Sequence, residues 1–342
     1  MSQHLNLNSL TPGQTLEELY LLSKKELLTT KNGGLYGSLR LSDATAEVDA
    51  KLWERASEML EGMEAGQVVK VWGRVQSYQG QNQVVISQIV ASPDSNPADF
   101  MVQGPKSAAQ LWPEFEAQLK KIVNPHLKRL LGAIFSPNFR ARFGSAPAAK
   151  AAHHAYVGGL LEHTVSVGQL ALLIAGHYPH LDRDVLLSGA LLHDIGKVEE
   201  LTLGPPLDYT DIGRLEGHIV LGLRMLDIAL TAQKDFPQAL ANSLRHMLVS
   251  HHGQEEFGSP QKPKTPEAFA LHVIDDLDAK TQMLQNVLAS ANPKAIWSGY
   301  HYLLERQIFL LDPEGKSRNS SMPDEEKDLD ANELSLFRQL ES

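Results

Sequence analysis

The chemistry available to this chain is that of imidazoles and carboxylates. It holds 14 His and no Cys in 342 residues, and eleven of those histidines fall between residues 150 and 275. Without thiols there is no disulfide framework, no iron–sulfur cluster and no thiolate zinc site, so a metal would have to be held by His, Asp or Glu. Helical periodicity sends several of these residues inward. His163 shares a stripe with Val167, Leu170 and Ile174, and His193 and Asp194 end the apolar run VLLSGALLHD, just before Ile195, Gly196 and Lys197. His218 sits among Val220, Leu221 and Leu223. His251, beside His252, continues the stripe of Leu244, Met247 and Leu248. Asp275, beside Asp276, continues the stripe of Ala268 and Leu271 toward Asp278.

One histidine on an apolar face is commonly a hydrogen-bonded core residue. Five His and two Asp on apolar faces of different helices are another matter, because helices converge their inward ligands when they build a metal site. An unpaired carboxylate there would be expensive. The nitrogen-and-oxygen set suits divalent Mn, Fe, Mg, Ni or Zn. Six or seven ligands exceed the needs of one tetrahedral ion and one Asp can bridge two, so the expectation is a two-metal hydrolytic centre. Lys197, three residues after Asp194, would either steady charge on phosphoryl oxygens or serve as a helix-end cation meeting the dipole.

The elements that must position these groups follow from pattern. The first 95 residues alternate with period two at Leu16 to Leu22, Leu35 to Leu41, Val48 to Trp53, Val68 to Val75 and Gln83 to Val90, with one helical stretch, Glu54 to Met63, after the third. Five strands with a helix between the third and fourth is the order of an oligonucleotide-binding (OB) barrel. Residues 91–107 are rich in Pro, Ser, Asp and Gly, and the chain is helical in period from there to about residue 311, with breaks at Pro125, Pro137, Pro147, Pro179, Gly204 to Pro206 and Ser259 to Pro260. The expected fold class is therefore multidomain: an N-terminal all-β OB-fold barrel at 1–95, a linker at 96–118, an all-α helical bundle at 119–311, and an acidic, disordered tail at 312–342.

A barrel of this kind binds single strands by stacking bases on aromatic rings. Tyr36, Trp53, Trp72 and Tyr78 are the candidate stacking residues, with Arg40, Lys70 and Arg74 for phosphates, although strand alternation turns some inward. From Lys120 to Lys150 there are seven basic residues and no acidic one. Lys120, Lys121, Lys128, Arg129, Arg140 and Arg142 form either a phosphate-backbone track or a solvated helix face. The formal charge of −10 excludes a protein coated in basic charge for duplex DNA. No uninterrupted apolar run approaches a membrane span, and the first residues lack the basic-then-apolar layout of a secretory signal, so a soluble, cytoplasmic protein with no membrane partner is expected. A homo-oligomer is compatible with all of this.

The same residues carry a resemblance. His163, the His193–Asp194 pair within LLHDIGK, and a downstream Asp in a helix resemble the HD phosphohydrolase superfamily. The longer strings HHAYVGGLLEHTVSV, LLHDIGKVEEL, the GHI of residues 217–219, and LVSHHGQEEFGSPQKPKTPEAFALHVIDDLDAK are similar to the bacterial YhaM-type 3′–5′ exoribonucleases, which join an OB-fold to an HD domain. The resemblance spans about residues 15 to 300, with WGRVQSYQGQNQVVI as its best stretch in the barrel. It implies that His163, His193, Asp194 and Asp275 are the core metal ligands, and that His218 with one or both of His251 and His252 completes a dinuclear set. It implies catalytic roles for Asp194, as bridge, and Lys197, while His154, in preference to His153, is either a substrate contact or simply the end of a loop. The implied reaction is hydrolysis of single-stranded RNA, with DNA as a further substrate, from the 3′ end to nucleoside 5′-monophosphates. The implied cofactor is a pair of divalent ions, Mn first, with Mg, Co, Fe or Ni as substitutes. The stretch after His252 is also similar to the cyclic-di-GMP phosphodiesterase branch, but Phe257-Gly258-Ser259-Pro260 lacks that branch's Gly-Tyr-Pro signature. Rival readings are an HD enzyme of small or cyclic nucleotides and a non-catalytic nucleic-acid-binding accessory protein.

Overall fold

The computed structural model describes residues 4–30, 32–78, 81–150, 156–290 and 295–310. Its first part contains β1 (Thr15–Thr29), β2 (Leu35–Ser42), β3 (Glu47–Leu52), α1 (Ala56–Met59), β4 (Val68–Tyr78) and β5 (Gln81–Ala91). The strands close into a barrel in the order β1-β2-β3-β5-β4, with β3 and β5 parallel and the other pairs antiparallel. Leu39 and Leu41, Ala50 and Leu52, Val69, Val71 and Val75, and Val84 and Ile86 all point inward and are buried. This is the period-two pattern that predicted the strands.

The structure departs from expectation at four places. β1 runs on well past Leu22, because Lys24 to Thr29 keep pairing with β2 while most of their side chains face water. A backbone ladder there needs no apolar alternation, so the pattern gives no sign of it. Glu54 to Met63 is not one helix: α1 is a single turn, and Leu60 and Met63 are buried from an irregular segment with Gly62 at positive φ. The stretch 96–118 is not all linker, since a helix begins at Ala108 behind a Ser107–Gln110 capping box and buries Leu111 and Phe115. Residues 295–310, expected in the helical bundle, instead carry two isolated antiparallel bridges, Trp297 to Phe309 and His301 to Arg306, and belong to a separate compact unit. The acidic tail lies outside the described residues.

The helical part comprises α2 (Ala108–Lys121), α3 (Pro125–Ile134), α4 (Pro137–Phe143), α5 (Gly159–His177), α6 (Arg183–Leu192), α7 (Lys197–Glu200), α8 (Asp211–Thr231), α9 (Gln238–Ser250) and α10 (Pro266–Ser290). Their starts follow local chemistry. Asn124 and Asp182 cap α3 and α6 with side-chain oxygens, and Pro125 and Pro137 occupy first-turn positions where a missing N–H costs nothing. By length and composition α5 could cross a membrane. It packs on α6 and α2, and its buried residues include His163.

Candidate metal centre

Five segments deliver the ligand-type side chains. His163 comes from α5, His193 and Asp194 from the residues just after α6, His218 from α8, His251 and His252 from just after α9, and Asp275 from α10. Two glycines make this convergence achievable, one by close backbone approach and one by its φ/ψ. A Cβ on Gly196 would lie 2.0 Å from the carbonyl oxygen of His218, so only glycine lets α8 come this near to the His193–Asp194 turn. Gly217 (φ 72°, ψ 159°) breaks the helical path inside α8, so that the backbone N–H of His218 donates to Glu200 Oε1 at 3.0 Å.

The side chains meet in two clusters that share one carboxylate. His163 Nε2 lies 3.2 Å from His193 Nε2 and 3.0 Å from Asp275 Oδ1. Asp194 Oδ2 joins them, 3.2 Å from His193 Nε2 and 3.6 Å from His163 Nε2. Its other oxygen, Oδ1, faces away to His218 Nε2 at 3.6 Å and His251 Nε2 at 3.7 Å. The His252 ring lies 4.3 Å from that of His251 and 5.0 Å from that of His218. His163, His193 and Asp194, and separately His218, His251 and His252, each bring ligand atoms close enough to hold one ion. Both members of the tandem pair therefore face the centre. Of Asp275 and Asp276 only the first does, because Asp276 is half exposed and bound to Lys280 at 2.8 Å.

The rings are set for metal binding. His193 and His251 direct Nδ1 to the carbonyls of Ala190 and Leu248, both at 2.8 Å. His163 directs Nδ1 to Asp278 at 2.7 Å, and His218 directs it to Glu200 at 3.1 Å. With Nδ1–H donating outward, each Nε2 lone pair points into the centre. Among the described residues, Asp194 Oδ1, His218 Nε2 and His251 Nε2 are buried with no hydrogen-bond partner. Three unpaired acceptors around one point are costly unless a cation satisfies them, so the residues fit a divalent metal.

Charge distribution differs between the two clusters. Burial disfavours a charged His163, but Asp275, Asp278 and Asp194 outweigh it and raise the ring to about 9; the Nε2 proton this implies occupies the position that a cation bound there would take over, and its loss to a metal would free the lone pair. Burial pushes Asp194 up, yet Lys197 and His193 hold it well below the usual carboxylate range. Burial, helped by the neighbouring His251 and His218, pushes His252 down to about 3, and burial lowers His251 as well, leaving neutral imidazoles. Lys197 is buried with Nζ 2.7 Å from Asp194 Oδ2. It opens α7, and the partner of its ammonium among the described residues is Asp194.

The sequence pattern did not reveal Glu200 or Ser166, whose hydroxyl donates to Asp278, and marked Asp278 only as a stripe member. The available signal was that Asp278 stands one turn beyond Asp275 on an inward stripe.

The candidate nucleic-acid residues scatter. On the outside of the barrel Tyr36 and Trp53 stack at 4.8 Å between centroids and 22° between planes, Lys51 lies over the Tyr36 ring, and Trp53 is 51% exposed. Trp72 lies under Lys70, itself paired with Glu17 at 2.8 Å. Arg40 pairs with Asp49, Arg74 donates to the Gly13 carbonyl, and Tyr78 is exposed. The basic stretch, by its sequence either a phosphate-backbone track or a solvated helix face, is in good part ion-paired. Arg129 pairs with Asp235, Arg140 with Glu116 while lying over Trp112, Arg142 with Glu199, and Lys150 with Asp208. Acidic residues remote in sequence neutralise it, while Lys120, Lys121 and Lys128 stay exposed. His154 lies outside the described residues.

An HD-domain model matches residues 160–280, and a model of an OB-fold nucleic acid binding domain matches residues 21–91. Fold and site thus define a class: an OB-fold barrel joined to an HD domain with a His/Asp centre able to hold metal. Curated relatives named 3′–5′ exoribonuclease YhaM share 35% identity over 286 residues in Bacillus subtilis (strain 168), and 36% over 287 residues in Listeria innocua serovar 6a. Each alignment covers 82% of this chain and 90% of the relative. Among solved structures, the second OB-fold domain of replication protein A from Methanococcus maripaludis aligns with 28% of this chain and 99% of its own, at 19% identity and a TM-score of 0.24. The chain belongs to the YhaM family.

Proposed function

We propose that this protein is a metal-dependent 3′–5′ exoribonuclease that hydrolyses single-stranded RNA to nucleoside 5′-monophosphates, with two Mn ions in its centre and single-stranded DNA as a secondary substrate. One observation carries the metal-dependent part: the two oxygens of Asp194 face two different histidine clusters. The polarity and the RNA substrate rest on the named activity of the relatives.

His163, His193, Asp275 and Asp194 Oδ2 would hold one ion, and Asp194 Oδ1, His218, His251 and His252 the other. When bound, these cations would supply Lewis acidity toward a phosphodiester and make water a usable nucleophile near neutral pH. The chain's own groups do the rest. Asp194 spaces the two clusters by the width of one carboxylate. Lys197, with one ammonium proton on Asp194, has others to give to phosphate oxygens as charge builds on them. The stacked Tyr36 and Trp53, with Lys51, offer the barrel's aromatic platform for bases, a mode that tolerates any sequence.

The test is a time course on 5′-labelled single-stranded RNA with Mn, comparing wild type with Asp194→Ala. A ladder shortening from the 3′ end, slowed roughly 10³-fold or more in the variant, is expected, since a shared ligand serves both clusters and the Lewis-acid contribution is worth several kcal/mol. Internal cuts, or a ladder indifferent to Asp194, would overturn the reading.

A further inference from the structure

Two of the histidines facing the centre are backed by main-chain carbonyls and two by carboxylates, and the carboxylates are divided between the clusters. Asp278 accepts from His163 Nδ1 at 2.7 Å, and its other oxygen is held by the Ser166 hydroxyl. Glu200 Oε1 accepts from both Nδ1 and the backbone N–H of His218, at 3.1 and 3.0 Å. Both carboxylates are largely withdrawn from water, at 11% exposure each. Neither faces the opposite cluster in any contact among the described residues. A carboxylate behind a ligating imidazole locks its tautomer and orientation and makes Nε2 a stronger donor.

We propose that Asp278 and Glu200 are positioning residues, one for each half of the centre, so that each metal position is tuned by its own carboxylate and can be weakened without the other. This rests on the dinuclear reading above. Asp278 acts through His163, the residue that reaches Asp275 as well as His193. Glu200 acts through His218, whose place beside Asp194 Oδ1 depends on the break at Gly217.

The experiment is a Mn titration of the full-length protein by calorimetry, with electron paramagnetic resonance to count bound and spin-coupled ions. Wild type is expected to bind two ions per chain. Asp278→Asn keeps a hydrogen-bond acceptor and removes the charge; it should weaken one ion by roughly 10- to 100-fold and leave the other at its wild-type affinity. Glu200→Gln should do the same to the other ion. Placed in a His218→Ala background, Glu200→Gln should add nothing, whereas Asp278→Asn should weaken the ion that remains. A merely structural role would not produce that crossed pattern, and thermal melting of each variant checks folding separately. Unchanged Mn affinity in both variants, or both ions weakened together by either one, overturns the proposal. Failure of wild-type protein to bind Mn overturns the dinuclear reading instead.

Discussion

Replacing Gly196 by Ala adds one methyl group at the point where α8 touches the His193–Asp194 turn. That carbon would stand 2.0 Å from the carbonyl oxygen of His218 and 2.6 Å from the amide nitrogen of Gly222, both main-chain atoms with no side-chain freedom. Ordinary contact begins at 3.4 Å, so α8 must retreat by about 1.4 Å. Overpacking of this kind costs typically about 1–3 kcal/mol of stability. The catalytic consequence is larger, because the retreat carries His218 away from Asp194 Oδ1, and a displacement of about 1 Å costs on the order of 10²-fold in rate. Urea unfolding, Mn stoichiometry and RNA turnover measured on the same preparation test this. The expected variant is folded, binds one Mn in place of two, and turns over RNA about 100-fold more slowly. A Gly196→Ala protein with wild-type turnover and two tightly bound ions would refute the argument that backbone contact at Gly196 sets the second cluster.

Three further outcomes follow. Asp275→Asn should abolish RNA hydrolysis and Asp276→Asn should leave it within about twofold of wild type, since Asp276 points away from the centre to exposed Lys280; equal loss in both would show that α10 is rotated. Trp53→Ala should weaken binding of a single-stranded oligonucleotide to the metal-free protein by about 1–3 kcal/mol, read by fluorescence anisotropy, and unchanged affinity would move the platform elsewhere. Tyr20 is fully buried, with its hydroxyl donating to the Leu5 carbonyl, and burial, with Glu18 and Asp43 nearby, raises its pKa above the ordinary 10. The unfolded chain therefore releases this proton first, so stability should fall as pH rises past 10, by up to about 1.4 kcal/mol per pH unit from this residue. Tyr20→Phe should lose about 1 kcal/mol at pH 8 and lack that part of the alkaline slope; identical slopes in urea melts at pH 9 and 11 would contradict it.

Much of the fold was legible because it depends on short-range repetition. Alternation at Leu39 and Leu41 or Val69 and Val71 locates barrel strands, and the apolar run before His193 locates a buried helix. The arm of β1 from Lys24 to Thr29 was illegible for the complementary reason, since it is held by ladder hydrogen bonds that any residue can make. The start of α2 was legible in principle, as Ser107 and Gln110 form a capping box, but it lay inside a stretch read as linker from its Pro and Ser content.

By itself the sequence determined which chemistry was open and which side chains would be offered to it. An absence of thiols, with His and Asp at inward helical positions, leaves a nitrogen-and-oxygen site, because the 3.6-residue turn decides locally which side chains leave the solvent. Only the tertiary structure decided how those groups divide. Asp275 and Asp276 are neighbours in the chain, and the packing of α10 admits one to the centre and sends the other to Lys280. The two oxygens of Asp194 part between clusters, and the basic residues from Arg129 to Lys150 find acidic partners as far off as Asp235. Each of these outcomes depends on which remote segments meet, and Coulomb and coordination energies act over a few ångströms of space whatever the distance along the chain.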